Sequence, residues 1–251
     1  MTSAPSGRRP RRLFVEQIAA EGDVQPLSTE AAQHIRVLRL SAGDGVELFD
    51  ARGQCARAEL LPPGGSGPSV RVGAHRELPE PTARLVLVSC VPKGNKLDPI
   101  VRMLTELGVS ELRLCHSERT VGGRDALPAT RLDRWQRIAR EACAQSGRPH
   151  TLRIEAPGAL PDVAARAPDG AQRLLFWEHA DAPLGPLSEL ADGGGEVWAV
   201  VGPEGGLTDG EAQALQAQGY RSVGLGPTIL RAETALIASA TLILDRIGRL
   251  R

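Results

Sequence analysis

The 251-residue sequence contains no apolar run of the roughly 18 residues that a membrane-spanning helix needs, and its arginine-rich start lacks an apolar signal core. We therefore expect a cytoplasmic protein without a membrane anchor. The four cysteines, Cys55, Cys90, Cys115 and Cys143, lie far apart, with no C-x-x-C pair and no histidine at metal-ligand spacing. This pattern predicts free thiols in a reducing compartment and no metal site.

Two common nucleotide-binding motifs are also missing. The sequence has no G-x-x-x-x-G-K-[ST], which argues against a P-loop enzyme. The glycine-rich motif GPEGG at residues 202–206 does not fit G-x-G-x-x-G. An enzyme that depends on a dinucleotide such as NAD is therefore disfavoured, and a titration with NAD would test it.

The net charge is zero, but the charges are unevenly distributed along the chain. Residues 84–155 carry 13 Lys and Arg against 8 acidic residues, whereas residues 156–251 carry 7 against 12. A basic segment is typical of a surface that binds a polyanion such as RNA, and an acidic end suits a cationic ligand. The same split can also arise from surface composition alone.

The sequence pattern changes at residues 79–83, a stiff polar segment that we interpret as a linker. Residues 13–78 contain short apolar runs separated by Gly and Pro, with a helix predicted from Thr29 to Leu40, and indicate a small β domain. Residues 1–12 are predicted to be a flexible basic terminus. Residues 84–251 alternate strands and helices, which predicts a parallel sheet covered on both faces. Within them, residues 152–170 are expected to be connective, with a short helix after Pro161, and Asp98 is expected to cap a helix.

Two glycine-rich loops, residues 202–206 and 224–233, each follow a short apolar strand and lead into a helix. A third strand ends at Trp177-Glu178. Ligands bind at the carboxyl ends of the strands in open α/β sheets, so these three ends predict one cleft. Either loop alone could be an ordinary turn, and Arg231 with Glu233 could be a simple ion pair. Their combination indicates a ligand site.

Several segments resemble a known family. GPEGGLTDGE and LGPTILRAETA are similar to the two C-terminal signatures of the SPOUT methyltransferases, in particular the bacterial group that makes 3-methyluridine in small-subunit (16S) ribosomal RNA. The similarity continues in KGNKLDPIVRMLTELGV, SERT, RWQRIAREACAQSGR, LFWEH, RRLFV and HIRVLRLSAGDGVELFDARG, so it covers almost the whole chain. The departures are Pro99 and Ala232, and neither removes a charged candidate residue.

The resemblance implies an α/β fold: a parallel-sheet SPOUT methyltransferase domain with a C-terminal trefoil knot, preceded by a PUA-like β-barrel that binds RNA. It also implies S-adenosyl-L-methionine as cofactor and a homodimer. The expected reaction is methylation of nitrogen 3 of a specific uridine. A ribose 2'-O-methyltransferase of the same superfamily and a non-catalytic RNA-binding ribosome assembly factor remain the alternatives. We expect the protein to bind neither a membrane nor a metal ion.

The candidate site residues follow from these loops. An apolar slot of Leu175, Leu225, Ile229 and Leu230 suits an adenine ring. The complete set of predicted cofactor-binding residues is Leu175, Trp177, Glu178, Val201, Gly202, Pro203, Glu204, Gly205, Gly206, Leu225, Gly226, Ile229, Leu230, Arg231, Glu233, Thr234 and Ala235. Arg231 is the candidate for stabilising negative charge on the uracil, while Glu204 or Glu233 would accept the ring proton or orient Arg231. His179 is a possible base, although a single histidine at a strand end is more often structural.

Candidate RNA-binding residues are basic side chains on predicted loops and exposed helix faces. The predicted helix over residues 130–145 places an arginine at every third position, which indicates either a solvated face or a surface for the RNA backbone. The full set is Arg11, Arg12, Arg36, Arg39, Lys93, Lys96, Arg119, Arg134, Arg137 and Arg140. Each could instead face only solvent.

Overall fold

The computed structural model describes residues 10–65, 67–92, 94–120, 128–187 and 194–250. The chain divides into two compact units, residues 1–80 with 140–151 and residues 81–139 with 152–251. The break after Glu80 falls inside the segment predicted as a linker. The return of residues 140–151 to the first unit was not predicted, and it arises because Cys143 is buried in one cluster with Phe49 and Cys55.

The first unit is built on a five-stranded sheet with strand order β1-β3-β4-β5-β2. Its elements are β1 (Arg11–Phe14), β2 (Val24–Pro26), α1 (Thr29–Leu38), β3 (Gly45–Phe49), β4 (Gln54–Leu60) and β5 (Ser69–Glu77). β1 pairs with β3 in parallel, and the other pairs are antiparallel. The predicted flexible terminus is wrong for Arg11 and Arg12, because the buried Leu13 holds β1 in the sheet. Residues 1–9 lie outside the described residues.

Helix α1 begins and ends with recognisable caps. The Ser28 side chain accepts a hydrogen bond from the backbone N–H of Ala31, which satisfies one of the unpaired donors at the helix start. The helix ends at Leu38, two residues earlier than predicted, because Arg39 adopts a left-handed conformation with φ 53°. Arg36 and Arg39 therefore do not share a helical face.

The second unit contains a six-stranded parallel sheet with strand order β11-β9-β10-β6-β7-β8. Its strands are β6 (Ala83–Cys90), β7 (Glu111–His116), β8 (Arg153–Ala159), β9 (Gln172–Phe176), β10 (Gly195–Val201) and β11 (Arg221–Val223). Its helices are α2 (Leu97–Leu107), α3 (Ala129–Ser146), α4 (Leu160–Ala164), α5 (Asp209–Ala217) and α6 (Ala232–Arg246), of which α3 runs on into the first unit.

The expectation that residues 152–170 are connective is wrong for β8, whereas α4 lies where a short helix was expected. β8 pairs with β7, and only Ile154 of this strand is buried. A strand at the edge of a sheet, with a single buried side chain and with Pro157 and Gly158 near its end, carries little of the apolar pattern that marks a central strand.

Helices cover both faces of the second sheet. Side chains alternate along β6, so that Leu85 and Leu87 pack with buried residues of α2 and α6. Val86 and Val88 pack on the other face with buried residues of α4 and α5. Burial on both faces explains the nearly continuous apolar sequence of this strand. No helix within the described ranges combines the length and the apolar character that a bilayer crossing requires.

The start of α2 differs from the prediction. Lys96, not Asp98, occupies the N-cap position, and its side chain makes no capping hydrogen bond. Asp98 instead accepts hydrogen bonds from the guanidinium of Arg134 at 2.6 and 2.9 Å and from the indole N–H of Trp135 at 3.1 Å. The Asp98 carboxylate therefore ties the first turn of α2 to the second turn of α3 rather than closing its own helix.

Candidate active site

A cleft opens where three neighbouring strands end. In the sheet, β9 lies between β11 and β10, and the loops that follow these strands line the cleft. Twelve of the predicted cofactor residues line it: Trp177, Glu178, Val201, Gly202, Pro203, Glu204, Gly206, Leu225, Gly226, Ile229, Leu230 and Ala235. Five further lining residues were not predicted: Phe176, Gly224, Pro227, Thr228 and Ala232. Four of these five lie within or beside the two loops, so the sequence motifs already contained a signal for them.

Leu175 was predicted to line the slot, and this prediction is wrong. Its side chain is completely buried in the cluster on the α4 and α5 face of the sheet. Phe176, the next residue, lines the cleft instead. Because successive side chains of a strand point to opposite faces, a shift of one residue exchanges a core position for a site position. Gly205, Arg231, Glu233 and Thr234 also lie outside the lining.

Gly206 allows the loop after β10 to approach the loop after β9. Its φ of 70° is left-handed, a conformation that side chains other than glycine rarely adopt. A Cβ atom at this position would collide with the carboxylate of Glu178. Gly224 makes a comparable approach, because a Cβ there would collide with the carbonyl oxygen of Ala180. The glycines of both motifs thus permit close packing of loops.

The loop after β7 supports the loop after β10. The Arg119 guanidinium donates to the carbonyl oxygen of Gly205 at 3.1 Å. The backbone N–H of Glu118 donates to the Glu211 carboxylate at 2.8 Å. Glu211 also forms the predicted capping box with Thr208 at the start of α5. Residues 117–120, part of a segment that carries the family resemblance, therefore brace the GPEGG loop.

The charged groups at the rim form one cluster. The Lys96 ammonium lies 2.9 Å from Glu204 Oε1 and 3.9 Å from Glu233 Oε1. Burial raises the pKa of Glu204, but the hydrogen bonds from Lys96 and from its own backbone N–H lower it more, so the net shift is downward. Arg231 is exposed at the N-cap of α6, and Glu233 lies in the first turn of that helix. The rim therefore carries two carboxylates and two cations.

The cleft contains a polar atom that lacks a partner. The indole Nε1 of Trp177 is buried and has no hydrogen-bond acceptor among the described residues. A buried donor in this position can be satisfied by a water molecule or by a ligand in the cleft. His179 packs edge-on against the Trp177 ring, with the ring centroids 5.2 Å apart, which favours a structural role for this histidine.

Comparison with known proteins decides the class of protein. A model of the RNA methyltransferase domain matches residues 79–244, and a model of the RNA methyltransferase PUA domain matches residues 27–72. The chain belongs to the RNA methyltransferase family. The predicted family and fold class are thereby confirmed, including the PUA-like module and the parallel-sheet domain. The trefoil knot stays a prediction.

Individual relatives of this RNA methyltransferase carry a narrower name. "Ribosomal RNA small subunit methyltransferase E" from Bacillus subtilis is 30% identical over 239 residues, covering 90% of this chain and 92% of the relative. The enzyme of that name from Synechocystis is 35% identical over 205 residues, covering 80% of this chain but 65% of the relative's length. The crystal structure of the Neisseria gonorrhoeae enzyme bound to S-adenosyl methionine has 26% identity and a TM-score of 0.83, with 94% and 98% of the two chains covered.

One of the RNA-binding candidates of this methyltransferase is wrong. Arg12 is 5% exposed and lies over the Phe49 ring. Its guanidinium pairs with Glu47 at 2.7 Å and donates to the carbonyl oxygens of Cys143 at 2.9 Å and Arg148 at 2.7 Å. A buried guanidinium whose donors are already used cannot bind phosphate, so Arg12 serves the packing of the first unit.

The other basic candidates differ in whether their side chains contact other residues of the chain or are exposed to solvent. Arg134 pairs with Asp98, Arg140 stacks on Phe14, and Arg11 donates to the carbonyl oxygen of Leu38. Arg36, Arg39 and Arg137 are exposed. Lys96 and Arg119 contact the GPEGG loop, as described above. Lys93 lies outside the described residues.

All four cysteines are unbridged and buried, which confirms the prediction of free thiols. Burial raises the pKa of Cys143 to about 11, so this thiol stays protonated at neutral pH. Within the described ranges, no group of three or more His, Cys, Asp or Glu side chains is arranged to hold a metal ion.

Proposed function

We propose that this RNA methyltransferase transfers a methyl group from S-adenosyl-L-methionine to nitrogen 3 of a uridine in small-subunit ribosomal RNA. The observation that carries the proposal is the cleft at the ends of β9, β10 and β11, which contains both motifs of the family resemblance. The names of the relatives support the RNA substrate, and the cofactor of the Neisseria structure supports the methyl donor. The choice of nitrogen 3 rests on the resemblance.

The residues of the cleft fit such a donor. Leu225 and Leu230 offer apolar surface for a purine ring, and the glycines leave backbone groups accessible to its edge. The unpaired indole N–H of Trp177 would gain an acceptor. Glu178 and Glu204 line the same cleft and favour a cationic ligand. The bound donor supplies an electrophilic methyl group carried on a positively charged sulfur.

The chain's contribution to methyl transfer is alignment and charge stabilisation. The reaction is an in-line displacement, so the rate depends on how well the loops hold the uracil nitrogen opposite the methyl group. Loss of the ring proton leaves negative charge on the uracil carbonyls. Arg231, exposed at the N-cap of α6, presents planar donors that can stabilise this charge. Its place outside the cleft lining suits contact with the base rather than with the cofactor.

Glu233 is the better of the two candidates for accepting the ring proton. Glu204 holds a hydrogen bond from Lys96 at 2.9 Å, and its lowered pKa makes it a weaker base. Glu233 lies farther from Lys96, at 3.9 Å, and its other oxygen, Oε2, has no hydrogen-bond partner among the described residues. The free Oε2 can take the proton while Oε1 keeps its contact with Lys96.

The RNA must present the target base outside a helix. Methylation of a ring nitrogen that normally pairs requires the uridine to be unpaired or turned outward. Exposed arginines such as Arg36, Arg39 and Arg137 supply positive charge for the RNA backbone. A ribosomal RNA substrate also agrees with a cytoplasmic location, which belongs to the same proposal.

A homodimer is the assembly that we propose. The aliphatic helix α6 buries Leu236, Ala240 and Ile243 within its own chain. Leu242 on the same helix is 40% exposed, which leaves an apolar position available to a second copy. Sedimentation of the wild type and of Leu242→Asp measures the assembly state. A monomer in both samples would contradict this part of the proposal.

Nucleoside analysis tests the proposed reaction. Small subunits from cells lacking the protein are incubated with the purified enzyme and labelled S-adenosyl-L-methionine, and the RNA is digested to nucleosides. We expect the label in 3-methyluridine. Label on the ribose would support the 2'-O-methyltransferase instead. No transfer together with no heat of cofactor binding in calorimetry would support a non-catalytic assembly factor.

A further inference from the structure

The chain contains almost no lysine. Of its 30 Lys and Arg residues, 28 are arginine, and the two lysines, Lys93 and Lys96, lie three positions apart. Arginine thus supplies the positive charge throughout the rest of the sequence. The two side chains are not equivalent, because lysine ends in a compact ammonium with three donors, whereas arginine ends in a planar fork. The contacts of the ammonium group can therefore explain why lysine and not arginine occupies such a position.

Lys96 occupies a position that is unfavourable for its own helix. It is the N-cap of α2, and its side chain makes no capping hydrogen bond. The amino end of a helix carries partial positive charge, so a cation there is destabilising, and Ser, Thr, Asp or Asn would cap the helix better. The local cost indicates that the contacts of the side chain elsewhere determine its identity.

Those contacts join two segments that are distant in sequence. Glu204 belongs to the GPEGG loop after β10, and Glu233 to the first turn of α6. One ammonium approaches both, at 2.9 and 3.9 Å. Without it, two carboxylates that each lie within 4 Å of this ammonium would lose the cation they share, and like charges repel. The hydrogen bond to Glu204 correspondingly raises the pKa of Lys96, so the side chain stays charged at neutral pH.

The backbone around Lys96 is itself held in place. Arg131, in the first turn of α3, donates to the carbonyl oxygen of Gly94. Two residues after Lys96, Asp98 accepts hydrogen bonds from Arg134 and Trp135. The ammonium therefore extends from a fixed point, which allows it to set the distance between the two carboxylates rather than follow them.

We propose that Lys96 is a positioning residue for methyl transfer, whose single ammonium ties the GPEGG loop to the first turn of α6 and thereby fixes Arg231 beside the cleft. This inference rests on the proposed function, because Arg231 is its end point. Arg231 directly precedes α6 and lies two residues before Glu233, so a shift of this turn moves the guanidinium relative to the substrate. Lys96 itself touches neither reactant in this account.

The kinetic test compares Lys96→Met, Lys96→Arg and, as matched control, Arg102→Met, which removes an exposed cation from the body of α2. Single-turnover transfer is measured at saturating S-adenosyl-L-methionine and RNA. We expect Lys96→Met to slow transfer between about 10- and 100-fold, as small misplacements of reacting groups do. Lys96→Arg should recover only a minor part of the rate, and Arg102→Met should retain the wild-type rate. A wild-type rate in Lys96→Met would overturn the proposal.

A double-mutant cycle separates positioning from general damage. If Lys96 acts through Glu204, Lys96→Met combined with Glu204→Gln should be little slower than the slower single variant. Multiplication of the two losses would refute the link. The thermal unfolding of each variant is recorded alongside, so that a loss of folding is recognised.

A measurement on the wild type does not depend on the variants being active. With only two lysines, a spectrum of ¹⁵N-labelled lysine ammonium groups contains at most two side-chain signals. We expect one signal to shift in Glu204→Gln while the other stays. Two unmoved signals would exclude the ion pair in solution. If the wild type transfers no methyl group, the proposed function fails, whereas this spectrum still decides whether the ion pair exists.

Discussion

Replacing Gly206 by alanine probes the close approach of two loops in the cleft. Gly206 has φ 70°, and a Cβ atom there would collide with the Glu178 carboxylate. The substitution therefore has two separable effects. It forces an alanine into a left-handed conformation, and it pushes a flexible acidic side chain away from its place beside the loop.

A left-handed conformation costs a residue with a Cβ about 1–2 kcal/mol, so the free energy of unfolding should fall by that amount. For a chain of this length, each kcal/mol corresponds to about 2–4 °C, which gives a decrease in Tm of about 2–8 °C. Glu178 lines the cleft, so its displacement changes the shape of the cofactor site. We expect the Kd for S-adenosyl-L-methionine to rise about tenfold, equivalent to about 1.4 kcal/mol.

Calorimetric titration and thermal unfolding separate the two effects. In a Glu178→Ala background, the collision is gone but the backbone strain remains. Gly206→Ala should then lower Tm as before while its effect on Kd becomes much smaller. Gly205→Ala is the matched comparison, because Gly205 has no left-handed φ and a Cβ there would lie 3.3 Å from the nearest atom. An equal increase in Kd in both backgrounds would show that Glu178 is not the cause.

Three further predictions concern charged residues. Arg231→Ala should slow single-turnover methyl transfer by about 10²- to 10³-fold while the Kd for the cofactor changes little, and an unchanged rate would reject its role. Arg137→Ala should weaken RNA binding and reduce the slope of log K against log salt by about one, whereas an unchanged slope would show that this arginine is only solvated. The hydrogen bond from Arg134 lowers the pKa of Asp98, so the stabilisation that this carboxylate contributes is complete above its ordinary value of 3.8 and is lost as the pH falls through the lower folded value. Urea unfolding of wild type and Asp98→Asn should differ by a constant amount at neutral pH and begin to converge only as the pH falls below 3.8, and a difference independent of pH would contradict the assignment.

The local sequence contained most of the information on where the cleft lies. Glycine-rich loops after apolar strands predict ligand loops because the reason is local: glycine permits close approach, and a parallel sheet brings the strand ends together. The face of a strand was harder to predict. Leu174, Leu175 and Phe176 are all apolar and all buried, so no alternation distinguishes the residue that lines the cleft from the one in the core.

The partners of charged residues could not be predicted from the sequence. Lys96 meets Glu204 across 108 positions, and Arg12 meets the carbonyl oxygens of residues 131 and 136 positions away. Both were interpreted as RNA-binding because a charge pattern reports how many cations a segment carries and not which groups surround them. Composition therefore predicted a basic surface but overestimated the number of side chains available to it.

The described residues that line the cofactor cleft all fall between Phe176 and Ala235. During translation, the sheet strands β6 to β8 leave the ribosome long before Ala235 is added. A ligand stabilises only the state that can bind it, so S-adenosyl-L-methionine cannot assist folding of the growing polypeptide until Ala235 has been added. A protein shortened before α6 would accordingly gain no protection from the cofactor against proteolysis.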